Sequence, residues 1–92
     1  MHIHKSLADV NGRLTRAREE LRIVEEQLLY QMDVVEEART RMLVAETPLA
    51  DREFRIARDD LDRLARQRRD VASLIEDLRV EQDRLLDRML NA

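Results

Sequence analysis

The chain has 92 residues, 40% of them charged and 43% hydrophobic, with one glycine, one proline, one phenylalanine, one tyrosine, no tryptophan and no cysteine. This is the composition of a coiled coil or long helical hairpin, and it excludes disulfides, thiolate sites and an aromatic globular core. Net charge is −3 with acids and bases interleaved, so the basic stripe of a nucleic-acid binder is missing and nucleic acid is not expected as a partner.

His2 and His4 open the chain at a spacing of two. On a helix that spacing turns the rings to different faces, and no third histidine or cysteine completes a metal set. No metal and no cofactor is expected. The segment MHIHKSLADVNG lacks a continuous apolar stretch of signal-peptide length. No run approaches the roughly 18 apolar residues of a membrane span. The expected setting is the cytoplasm, with no membrane contact.

Ser6, with Asp9 three residues on, reads as a capping box, so the first helix is expected to begin there and run to about residue 46. Alternating steps of three and four from Leu7 reach Val10, Leu14, Ala17, Leu21, Val24, Leu28, Gln31, Val35, Ala38, Met42 and Ala45, and Ile3 fits one step earlier. One frame therefore holds for about six heptads, with Gln31 its only polar member. Asn11–Gly12 is the one weak point, where local fraying is expected; Gly12 falls on the outermost heptad position.

Pro48 interrupts the pattern. Thr47 before it is pushed out of helical geometry, and the proline ring cannot continue a preceding helix unkinked. Thr47 then serves as N-cap with Pro48 at the first helical position, and Asp51 adds a favourable charge in the first turn. The second helix, about residues 48–90, has its own frame: Phe54, Ala57, Leu61, Leu64, Arg68, Val71, Ile75, Leu78, Gln82, Leu85 and Met89. A connection at 46–48 favours an antiparallel neighbour. Position i then lies near position 95 − i, with Glu25 and Glu26 beside Arg68 and Arg69, but with Asp59 and Asp60 near Glu36 and Glu37. The expected fold is all-α: an antiparallel two-helix hairpin in a single domain, 1–92, dimerising into a four-helix bundle. A kinked rod in an intertwined dimer is the alternative, because no Gly or Asn supplies a left-handed residue after the first helix.

One seam is little core for a chain that loses about 1.5 kcal/mol of entropy per ordered residue, so something else should cover the hairpin. Leu43, Val44, Leu49 and Ile56 gather near the tip, and Ile23, Leu29 and Tyr30 lie along the shaft. These seven are the expected partner-binding residues. Arg68, with Arg63, Arg66 and Arg69 in the run RLARQRRD, offers a lesser possibility of an anion pocket. There is no Gly-rich phosphate loop, no nucleophile elbow and no Ser/His/Asp set, so no catalytic residue is expected. The functional expectation is a non-enzymatic protein–protein interaction module, an adaptor or regulator that binds another protein, itself, or both. Alternatives are a sigma-factor-sequestering regulator and a self-assembling scaffold.

Sixteen of the seventeen basic residues are Arg, as in a GC-rich coding background of a high-GC bacterium. In that bias and in its hairpin shape the chain resembles actinobacterial anti-sigma proteins built as antiparallel coiled coils, which bind cyclic di-GMP through the motif E-x3-S-x2-R-x3-Q-x3-D. The nearest frame here reads Glu26, Tyr30, Asp33, Glu37 and Arg41 and matches only at Glu26, so the resemblance implies no nucleotide site.

Overall fold

A computed structural model describes residues 2–91. They form two helices, α1 (His2–Ala45) and α2 (Pro48–Leu90), packed against each other as an antiparallel hairpin with no strands among the described residues. Both heptad frames face the seam. Val10, Leu14, Ala17, Val24, Val35 and Ala38 of α1 are buried, as are Ala57, Val71, Leu78 and Leu85 of α2. Between them sit half-buried Leu7, Leu21, Leu28, Leu61, Leu64 and Ile75. No cavity of unpaired polar atoms interrupts the seam: among the described residues, no buried side-chain nitrogen or oxygen lacks a hydrogen bond.

Helix α1 starts at His2, four residues before the expected cap at Ser6. The reason is tertiary. Ile3 and Leu7 pack against the cluster of Val10, Leu14, Ala17, Leu78 and Leu85, and this burial extends the helix through Ser6. Nor does the helix break at Asn11–Gly12, where the backbone stays helical. Asn11 instead accepts a 2.7 Å hydrogen bond at its side-chain oxygen from the Gln82 amide, tying α1 to α2 there.

The reversal takes two residues. The N–H of Glu46 donates to the Met42 carbonyl at 3.1 Å, and Glu46 itself sits at φ 52°, in the left-handed region. This is the single-bond left-handed cap that glycine usually forms, here built with glutamate. Thr47 then caps α2: its hydroxyl oxygen accepts from the Ala50 N–H at 3.2 Å, and its carbonyl accepts from the Asp51 N–H at 3.1 Å. Pro48 occupies the first helical position and Asp51 the first turn, as the sequence predicts. The kinked-rod alternative is thereby excluded in favour of a hairpin.

The hairpin comprises two compact units, one holding the chain ends up to Arg22 and from Arg69 onward, the other Ile23–Arg68. In the first unit the apolar cluster described above is the core. In the second, Val35, Ala38 and Ala57 are buried, with Val34, Phe54 and Leu61 packed around them. Ala50, one turn into α2, is also buried although neither frame names it.

Polar seam residues find partners without being buried deeply. Gln31 donates its side-chain amide to the Ala57 carbonyl at 3.0 Å. Arg68 swings outward and donates to Glu25 at 3.3 Å, the cross-helix pair expected from the register. The acidic crowding foreseen around Asp59, Asp60, Glu36 and Glu37 is relieved locally: Arg63 bonds Asp60 and Arg39 lies 3.7 Å from Glu36, each within its own helix. Such exposed pairs contribute only about 0.2–0.5 kcal/mol apiece, so they set solubility and register more than stability. In the first unit, hydrogen bonds from Arg22, reinforced by its charge, hold the Glu19 carboxyl below its ordinary pKa of 4.5.

A candidate interaction surface near the hairpin tip

All seven residues expected to bind a partner are exposed: Ile23, Leu29, Tyr30, Leu43, Val44, Leu49 and Ile56, with Val44 at 80% and Tyr30 at 71%. They do not form a single patch. Within Ile23–Arg68, Val44 and Leu49 line one shallow groove of about 460 Å³ together with Thr40, Arg41, Ala45, Thr47, Ala50 and Glu53. Tyr30 and Ile56 line a second, of about 700 Å³, with Gln31, Val34, Ala38, Ala57 and Asp60. Arg41 and Glu53 border both grooves, and their side chains meet across the helices at 3.8 Å. The two grooves thus share one flank, divided by a single ion pair.

Leu29 and Leu43 line neither groove. Helical geometry explains this: neighbours in sequence are about 100° apart around the axis, so Leu43 points away from Val44 and Leu29 away from Tyr30. Ile23 is a full heptad beyond Tyr30, the nearest residue of the second groove, and lines neither. Among the flank residues absent from the sequence expectation are Val34, Arg41 and Glu53. Val34 was legible, because it lies four residues from Tyr30 and ten from Val44, on the same helical face.

The other side of the seam near the tip is chemically different. The half-buried Phe54 ring has the guanidinium carbons of Arg39 and Arg58 at 5.3 and 5.7 Å from its centroid. These cation–π contacts are worth about 0.5–1 kcal/mol each at an exposed site, and they cover the one phenylalanine with charge. The Phe54 ring is thereby shielded, whereas Val44 and Leu49 in the tip groove stay open; Leu29 and Leu43, outside both grooves, are exposed as well.

The arginine run does not converge on a pocket. Arg63 bonds Asp60 and Arg68 bonds Glu25, so these two guanidiniums are already engaged by carboxylates. His2 and His4 are both exposed, and among the described residues no three His, Asp or Glu side chains come together in a metal-holding group. Among the described residues no helix is long and apolar enough to cross a membrane. In the unit that holds the chain ends, Arg13, Arg16, Ala17, Glu20, Leu74 and Leu78 line a smaller groove of about 240 Å³, bordered by charged groups.

No protein-family profile, no curated protein and no solved structure matches this chain.

Proposed function

We propose that the chain is a non-enzymatic protein–protein interaction module of the cytoplasm, a small hairpin that docks through the apolar flank near its tip. One observation carries this reading. The hairpin seam is closed and satisfied, yet Val44, Leu49, Ile56 and Tyr30 remain exposed around two adjoining grooves on one side. Apolar side chains scattered singly on a surface are ordinary, whereas aliphatics collected beside grooves on one flank mark a contact surface. The ion pair of Arg41 with Glu53 between the grooves supplies orientation, since charges at a contact select partner and register more than they add affinity.

Affinity capture with V44D, I56D and, as a control on the opposite flank, L43D tests the proposal. The first two substitutions place a charge in a groove without touching the seam, so helicity by circular dichroism is expected to stay at the wild-type value. Stoichiometric association, with itself or another chain, is expected to be lost with V44D and I56D and kept with L43D. Association equal in all three variants refutes the reading. Collapse of helicity in V44D or I56D does so as well, because those side chains would then be core.

A further inference from the structure

Beside the seam of Ile23–Arg68 runs a second stripe with the same alternation of four and three residues. On α1 it is Tyr30, Val34, Glu37, Arg41 and Val44; on α2 it is Leu49, Glu53, Ile56 and Asp60. Five of the nine are apolar, Tyr30, Val34, Val44, Leu49 and Ile56, and four are charged, so the face is a mixed one on which a helix can pack through apolar contacts ordered by charge. The stripes run level with each other, because Arg41 meets Glu53 across the hairpin and the tip groove takes Val44 and Leu49 together. They also differ in charge at the level where it matters: α1 offers Arg41, α2 offers Glu53.

A surface made of two level, complementary stripes complements itself. A second hairpin turned half a revolution about the long axis lays its α2 stripe on the α1 stripe of the first, at the same level, and the converse holds by symmetry. We propose that this flank is a two-fold docking surface for a second copy of the chain, with the two tips together; this rests on the interaction reading above and names the occupant. Val44 then packs on Leu49 of the second copy, twice. Arg41 faces Glu53 of the second copy, twice, so the ion pair seen within one chain becomes a ring of four alternating charges. Every pair of adjacent helices in the resulting bundle is antiparallel, which also opposes their dipoles favourably. A head-to-tail copy centred on Val34 would instead set Asp60 against its own counterpart and give Arg41 no acidic neighbour on the second copy, leaving it only Glu53 of its own chain. In the tips-together arrangement Asp60 faces Val34 of the second copy and keeps its own counterion, Arg63.

Charge swaps read this arrangement directly by sedimentation equilibrium over a concentration series of the full chain. The wild type is expected to dimerise. R41E and E53R each set like charges against one another across the two-fold, and each should self-associate at least about tenfold more weakly. An equimolar mixture of R41E and E53R should recover the wild-type affinity as a heterodimer, because each chain then meets the opposite charge on the other, while both chains still carry their internal repulsion. Circular dichroism confirms that all species are folded.

A wild type that stays monomeric overturns the proposal, as does a dimer indifferent to both swaps, or weakened singles that the mixture does not rescue. A monomeric wild type that still binds a different protein in a V44D-sensitive manner overturns self-docking alone and leaves the interaction reading standing. V44D without effect on any association overturns both.

Discussion

Replacing Glu46 by glycine should stabilise the hairpin, an unusual sign for a substitution that adds no contact. Glu46 holds φ 52°, a region that costs a residue with a Cβ about 1–2 kcal/mol. Glycine removes that strain but has more freedom to lose on folding, about 0.5–1 kcal/mol. The net gain is about 0.5–1 kcal/mol. No contact offsets it: the Glu46 side chain is exposed and has no hydrogen-bond or ion-pair partner among the described residues. For a domain near this size 1 kcal/mol moves the midpoint by about 4–8 °C, so E46G should melt about 2–8 °C above the wild type. The assay is thermal unfolding followed at the helical circular-dichroism band, at one fixed protein concentration so that any association contributes equally. E46A is the control: it removes the same side chain, keeps the Cβ and should melt close to the wild type. If E46G melts no higher than E46A, the left-handed cap is not strained and the account of the reversal given above is wrong.

Three further substitutions probe separate parts of the fold. T47A removes the hydroxyl that accepts from the Ala50 N–H at 3.2 Å and should lower stability by about 1 kcal/mol, with T47S largely neutral, by urea titration. G12A should raise it by about 0.8–1 kcal/mol, because the position is helical and a Cβ there meets only the Arg16 guanidinium, at 3.4 Å; a lower urea midpoint would count against that packing. L14A empties a site that is 1% exposed among Val10, Ala17, Leu78 and Leu85 and should lose about 3 kcal/mol, whereas a loss under about 1 kcal/mol would mean the seam collapses around the gap.

How much of this could be read from residues alone depends on the range of the interaction. The seam was legible nearly in full, because burial on a helix imposes a period and the two frames count it out: of the positions named from Leu7 to Met89, only Ala45 and Arg68 are exposed. Pro48 and Thr47 were legible for a different reason, since their capping chemistry is local. The start of α1 was not, because Ser6 is a good cap by local rules and is overridden by Ile3 and Leu7 packing on the opposite helix. Glu46 escaped notice because the usual signature of a left-handed cap is Gly or Asn, and strain on a glutamate leaves no mark in composition. Arg68 shows a limit of another kind: a long side chain can occupy a seam position and still carry its charge out to Glu25.

The surface residues were identified as exposed, and all seven are, but their grouping depended on angle around the axis. Leu43 with Val44, and Leu29 with Tyr30, are adjacent in sequence and turned to different sides. Which of them share a groove follows from the heptad position each occupies relative to the seam. Arg41 and Glu53 escaped notice because each reads as ordinary solvated charge until the register brings them together.

The two-residue reversal also governs the order in which the chain can assemble. Contacts beside it close very short loops: Arg41 and Glu53 are twelve positions apart, whereas Asn11 and Gln82 are separated by 71. By the logarithmic growth of loop-closure entropy the distant pair costs about 1.6 kcal/mol more to bring together from an open chain. The cheaper order of assembly is therefore a zipper from Glu46 and Thr47 toward the chain ends, which predicts φ-values that fall with distance from the reversal. On that order the grooves lined by Val44 and Tyr30 belong to the portion expected to close before the contacts of residues 2–22.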